Sequence, residues 1–293
     1  MLKFRVLLAT AILVAPVMAH AAAVDAYYER SVMTAADQRC HLFTADLAAA
    51  LNASQAQARG AAMRSGATNA QLDTVQVRAS NAAGSAACNS KDITTAAGRV
   101  RQAFDGYSKL QTMLYRGDVS SWWANRATSP TTMTWRLSQS EPFGWNQLIF
   151  GYAGRGADVG LIAVASFADG AKPYSARLIL RDTSRASEPF LNIIKASSDG
   201  RIPLSARMPP AFATKDFFPQ ARGAADKTLL PGGASSGTAF RFPSAAADAL
   251  ARLDPRESVA IDYLFTSGDP VRRAYVEVGD FAAGRAFLAA GQR

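Results

Sequence analysis

Residues 145–167 read WNQLIFGYAGRGADVGLIAVASF. Two apolar-rich runs, Trp145–Ala153 and Val159–Phe167, flank a Gly154-Arg155-Gly156 turn. Each run has the length of a strand, and glycines are the residues that let a chain reverse in two or three steps, so the segment predicts a β-hairpin. The same period extends outward. Upstream, Thr132-Met133-Thr134-Trp135-Arg136-Leu137 alternates polar with apolar. Downstream, Tyr174, Ala176, Leu178 and Leu180 alternate against Ser175, Arg177 and Arg181, the two-residue repeat of a strand with one face buried. Arg201–Gly237 is rich in proline and glycine, lacks a period and predicts loops. Further strands are expected at Thr238–Phe242, Ser258–Thr266 and Val271–Val278, with a short Ser244-capped helix to Leu253 and a closing helix over Asp280–Ala290. Residues 129–293 therefore predict an antiparallel β-rich domain.

Ahead of residue 129 the period is helical. A first helix starts at Thr34, carries Cys40, Phe43, Leu47, Leu51 and Ala58 at three- and four-residue steps, and stops at Gly66. Thr68 opens a second, with Leu72, Val75 and Ala79 on one face. Ser90 or Asp92 caps a third, striped by Ile93, Ala96, Val100, Phe104, Tyr107, Leu110 and Leu114. The fold class expected is α+β: an N-terminal three-helix domain over 34–116, then an antiparallel β-sandwich-like domain with a C-terminal helix.

The first residues read as an export signal. Lys3 and Arg5 precede an uncharged apolar run, Val6–Met18, and Ala19-His20-Ala21 supplies small residues for cleavage, so 1–21 is expected to leave as a signal peptide. That run is shorter than the roughly 20 residues of a membrane span, and nothing after Ala23 is apolar for long enough. The mature chain is thus expected not to be transmembrane and to reside in the periplasm or outside the cell. Exactly two cysteines, Cys40 and Cys88, would reach that oxidising compartment, and two allow one intramolecular pairing, a structural disulfide.

Composition removes much chemistry. Of two histidines, His20 leaves with the signal and His41 adjoins Cys40 at an expected exposed helical position, which removes most metal and imidazole-based acid–base constellations. Gly233-Ala234-Ser235-Ser236-Gly237 matches the serine-hydrolase elbow by letter, but a proline-glycine turn precedes it and no histidine follows. Gly151 to Gly160 is glycine-dense without the order that cradles a dinucleotide. No cofactor and no metal site are expected. Asp262, Glu277 and Asp280 lie close along the tail and offer the one enzymatic alternative, a carboxylate-based hydrolase of cell-wall glycan. On alternating strands, Asp262 and Glu277 are expected to face solvent.

Two positive features stand out. The formal net charge is +9, falls by two with the signal, and comes mostly from scattered arginines. Such scattered charge is either compositional, on a solvated surface, or the mark of a chain that in an envelope meets anionic components or glycans rather than nucleic acid. All four tryptophans, Trp122, Trp123, Trp135 and Trp145, fall at the junction of the two domains, where they serve either as core filler or as the candidate binding platform for sugar rings and cations. Residues 238–290 combine a short helix, two hairpin strands and Gly279-Asp280-Phe281-Ala282-Ala283 closing on Phe287-Leu288. This tail resembles the end of the invasion-associated locus B family of secreted bacterial proteins. The helical part is similar to uncharacterised secreted proteins of bacteria. The resemblance implies a periplasmic β-sandwich and transfers no catalytic residue. The function expected is a non-enzymatic envelope protein that binds or scaffolds.

Overall fold

A computed structural model of the chain describes residues 15–191, 201–266 and 269–290. The charged start and most of the apolar run of the expected signal, residues 1–14, lie outside the described residues. The fold is α+β, helices first and a sheet-rich body after them.

The helical part contains α1 (Ala15–Cys40), α2 (Ala45–Arg64), α3 (Asn69–Ser85) and α4 (Lys91–Ala103). Where the sequence reads one helix from Thr34 to Gly66, the chain breaks at Cys40. His41 takes a left-handed backbone with φ of 51°, and Thr44 restarts the helix as its N-cap. Among the described residues four helical segments stand where the sequence reads three, the last of them ending at Ala103. His41 is exposed as expected, but it lies just beyond a helix rather than within one. Thr68 caps α3 through a capping box with Gln71, and Ser90 caps α4. α1 packs on both α2 and α3, with Tyr27, Ala62, Met63, Leu72 and Val75 in one buried cluster. Cys40, ending α1, and Cys88, just past α3, have Cα atoms 5.6 Å apart and form the expected disulfide.

The third helix ends earlier than its stripe suggests. After Ala103 the chain turns through Gly106, whose φ of 82° suits glycine, and enters a strand. Tyr107 therefore opens a separate 3-10 turn, Tyr107–Lys109, and Leu110 and Leu114 belong to no helix. Leu114 sits in β1 (Thr112–Arg116), which pairs with β2 (Ser121–Asn125), two strands the sequence reading did not assign.

The body continues with β3 (Thr134–Phe143), β4 (Asn146–Arg155), β5 (Asp158–Ser166), β6 (Ser175–Arg181), β7 (Thr214–Phe217), β8 (Ala221–Ala224), β9 (Thr238–Phe242), α5 (Ser244–Leu250), β10 (Ser258–Leu264), β11 (Arg272–Glu277) and α6 (Phe281–Ala289). One sheet has the order β1-β2-β3-β4-β5-β9-β8 and the other β11-β10-β6-β7, with every pairing antiparallel. The hairpin read from 145–167 is β4–β5, and the strand expected at Thr238–Phe242 is β9. β7 and β8 lie inside the stretch expected to be loops. They are four residues each, too short to show a period.

Alternate residues of both sheets meet in one core: Trp122, Leu137, Phe150, Leu161 and Phe240 from the larger, Leu178, Ile261, Tyr263 and Val276 from the smaller. α6 closes this core with Phe281 and Phe287. It also receives α2, so the helical part rests on the body along an α2–α6 seam. There, Arg64 binds Asp280 through both nitrogens at 2.7 and 3.1 Å. Gly60 lies so close that a Cβ on it would stand 2.5 Å from Asp280 Oδ1, which makes glycine a requirement of the seam.

Candidate anion-binding pocket

At one corner of the larger sheet, Ala165, Thr238 and Ala224 form a cross-strand row on β5, β9 and β8. Small side chains in this row leave a hollow, because the neighbouring row is filled by Phe240 and this one has nothing of that bulk. The loop after β5 roofs it with Phe167, Gly170, Ala171 and Lys172, and Ser236 and Gly237 close one side. The cavity measures about 230 Å³. Arg222, two residues before Ala224, shares its face of β8. Its Nε donates to Pro173 O at 2.8 Å, which ties the guanidinium to the loop carrying Lys172.

The electrostatics are one-sided. Lys172 and Arg222 both line the pocket and neither makes an ion pair among the described residues, while no carboxylate lines it. The nearest acid along the chain, Asp169, is taken by Arg272 at 2.9 and 2.6 Å. Those bonds, with the amide of Ala171, hold its carboxyl down to about 2. Two cations, a serine hydroxyl and glycine-lined backbone around a small hollow supply the donors and charge that a compact anion such as a phosphate or carboxylate would need.

A larger cleft of about 580 Å³ lies along the helix–body seam and is lined by Arg59, Asn69, Asp73, Thr183, Arg252 and Asp280 among others. It mixes both signs of charge, and Asp280 is already engaged by Arg64.

The tryptophans are not gathered into one platform. Trp122 is fully buried, with Nε1 donating to Val278 O at 2.9 Å and its ring 5.0 Å from Phe281. Trp123 follows it on β2 and faces the other way, 46% exposed, directly across from Leu114. Trp135 packs on that same outer face against Leu229 and Leu230, with Nε1 donating to Leu229 O. Trp145 stands in the β3–β4 turn, 93% exposed.

The tail carboxylates are also dispersed, and two are not where alternation suggests. Asp262 and Glu277 are both buried instead of facing solvent. Asp262 does lie opposite the core. Arg177 and Arg273, its cross-strand partners on either side, fold over it at 2.9 and 2.5 Å. Burial alone would raise its pKa, but hydrogen bonds from the two guanidiniums outweigh it and hold the carboxyl below its ordinary value. Glu277 accepts the backbone N–H groups of Asp118, Val119 and Ser120 at 2.7, 2.9 and 2.7 Å, locking the β1–β2 turn. Asp280, with its pKa raised by burial against the pull of Arg64, serves the seam. All three carboxylates are occupied with holding elements together. Ser235 is exposed in a loop leading into β9, and no imidazole is near: His20 contacts Ser65 and His41 follows the disulfide.

Lys172 and Arg222 escaped the sequence reading. Each sits beside a glycine or proline in a stretch without period, as Gly170-Ala171-Lys172-Pro173 and Arg222-Gly223. The pairing of β8 with β9 and β9 with β5 brings them together across 50 residues. Comparison of this chain with family models, with curated proteins and with solved structures finds no match.

Proposed function

We propose that this chain is an exported, non-enzymatic envelope protein that binds an anionic envelope component through the Lys172–Arg222 pocket. One observation carries the reading: a preformed hollow presents two cations that have no carboxylate partner, and no acid in the lining, among the described residues. A structural arginine in this fold is treated differently. Arg181, for example, is buried against Glu257 with two bonds at 2.8 and 2.7 Å. The disulfide and the likeness of the tail to secreted proteins support an oxidising compartment outside the cytoplasm. No helix among the described residues is long and apolar enough to cross a membrane.

Titration calorimetry of the mature protein with inorganic phosphate, glycerol phosphate and an acidic oligosaccharide tests the reading. Binding should appear with at least one of these and weaken by about 10-fold or more in Lys172→Ala/Arg222→Ala, the scale of losing two charge-assisted hydrogen bonds. Equal affinity of wild type and variant would remove the pocket from the function. Release of sugar from purified cell wall would instead favour the carboxylate-hydrolase alternative.

A further inference from the structure

Trp145 is the most exposed large apolar side chain among the described residues, and it precedes β4, whose first residues pair with the end of β5 that lines the pocket. It occupies the β3–β4 turn. The following residue, Asn146, accepts the backbone N–H of Ala168 at 3.1 Å through Oδ1, and Phe143, two residues before Trp145, packs edge-on against Phe167 with ring centroids 5.7 Å apart. These two contacts fasten the Trp145 turn to the loop that roofs the pocket and carries Lys172. Further along that loop, Tyr174 is 54% exposed, and its N–H donates to Leu264 O at 2.8 Å, fixing it to the end of β10. The exposed indole, the exposed phenol and the two cations thus belong to one braced corner of the molecule.

We infer that this corner docks onto an anionic phospholipid surface, the pocket taking the lipid phosphate and Trp145 entering the headgroup layer. The inference rests on the anion-binding reading above and names its ligand as a membrane lipid. Indole and phenol rings settle at the level of lipid headgroups, where one part of the ring is apolar and another is wet. A fully exposed tryptophan in water has no such compensation and leaves its apolar surface bare. Lys172 and Arg222 match the negative charge of phosphate, and the excess positive charge of the mature chain, formally +9 less the two charges of the signal, attracts it to an anionic leaflet. The association is peripheral, with one aromatic anchor and one headgroup site acting together.

Flotation of the mature protein with phosphatidylglycerol/phosphatidylethanolamine vesicles, against pure phosphatidylcholine vesicles, tests the inference beside calorimetry with soluble glycerol phosphate. The wild type should float with the anionic vesicles and not with the neutral ones, and its tryptophan emission should shift to the blue on binding. Trp145→Ala should lower vesicle partitioning by about 10-fold or more, the low end for burying a large apolar side chain, and abolish the blue shift. Lys172→Ala/Arg222→Ala should lose both vesicles and glycerol phosphate. Binding of glycerol phosphate without recruitment to vesicles would overturn the docking and leave the pocket as a receptor for soluble anions. Vesicle binding that is indifferent to Trp145→Ala, or to the loss of both cations, would overturn it as well. Failure to bind either ligand would remove the anion-binding reading itself.

Discussion

Glu141 lies on the core-facing side of β3, buried, with Oε1 lacking a hydrogen-bond partner. Burial raises its pKa to about 6, the Glu277 charge adds to this, and a hydrogen bond with Ser120 opposes it. A carboxyl with a folded pKa above its unfolded value favours the fold while protonated. Its contribution is complete below the ordinary 4.5 and is lost as pH rises through about 6. Glu141→Gln keeps the neutral shape, so it should be near neutral at about pH 4 and stabilising by roughly 1–2 kcal/mol at about pH 8. Urea melts of both proteins across that range give the difference directly, which cancels the same-signed contributions of Glu257 and Asp280. Ser235 makes an opposite case, a residue singled out by its letters. Its exposed loop holds no base to activate it, so a fluorophosphonate probe should leave it unlabelled, and labelling abolished by Ser235→Ala would restore the hydrolase reading. Strand alternation placed Asp262 on the correct face. It says nothing of coverage, which arises from arginines on two neighbouring strands whose registers are non-local.

At the scale of elements, the Cys40–Cys88 bond joins the ends of α1 and α3 across a separation of 48 residues. Replacing both cysteines by alanine should cost about 2–4 kcal/mol of stability, read from denaturant midpoints, and alkylation before reduction should label neither thiol in the native protein. Two cysteines in a chain fix this pairing without reference to any fold, so it was legible in advance. α1 itself was not. It spans the expected cleavage point, so cutting after Ala21 removes its first turns, with the His20 contact to Ser65, and keeps Tyr27, Met33 and Ala36 packed. Mass spectrometry of exported protein should find an N-terminus at Ala22 or Val24. Full-length protein held in the membrane would refute export by cleavage. The stripe from Ile93 to Leu114 was extended too far because an apolar residue every third or fourth position also occurs by chance in a turn followed by a strand. Only the left-handed Gly106 marks the change locally.

For the whole molecule, the junction between helices and body turns on one ion pair. Asp280 is almost fully buried and Arg64 is, among the described residues, its only charged partner at hydrogen-bond range. Arg64→Ala strands that carboxylate and should cost about 2–3 kcal/mol, more at high pH, where Asp280 is ionised. Asp280→Asn should cost less, because the arginine can reach water. Far-ultraviolet dichroism of Arg64→Ala in urea should show helical signal lost ahead of the near-ultraviolet signal of the buried aromatics; a single coincident transition at the wild-type midpoint would show the seam to be dispensable. The sequence by itself determined the fold class, the β4–β5 hairpin, the closing strands and helix, and the disulfide. Each is written in a local period, a turn or a count of two cysteines, and needs no distant residue to be read. The tertiary structure alone decided the order of strands in the sheets, the burial of Asp262 and Glu277, the scattering of the tryptophans and the meeting of Lys172 with Arg222. Those depend on which strands pair, a choice made by burying whole faces against one another, and no short stretch of chain carries that information.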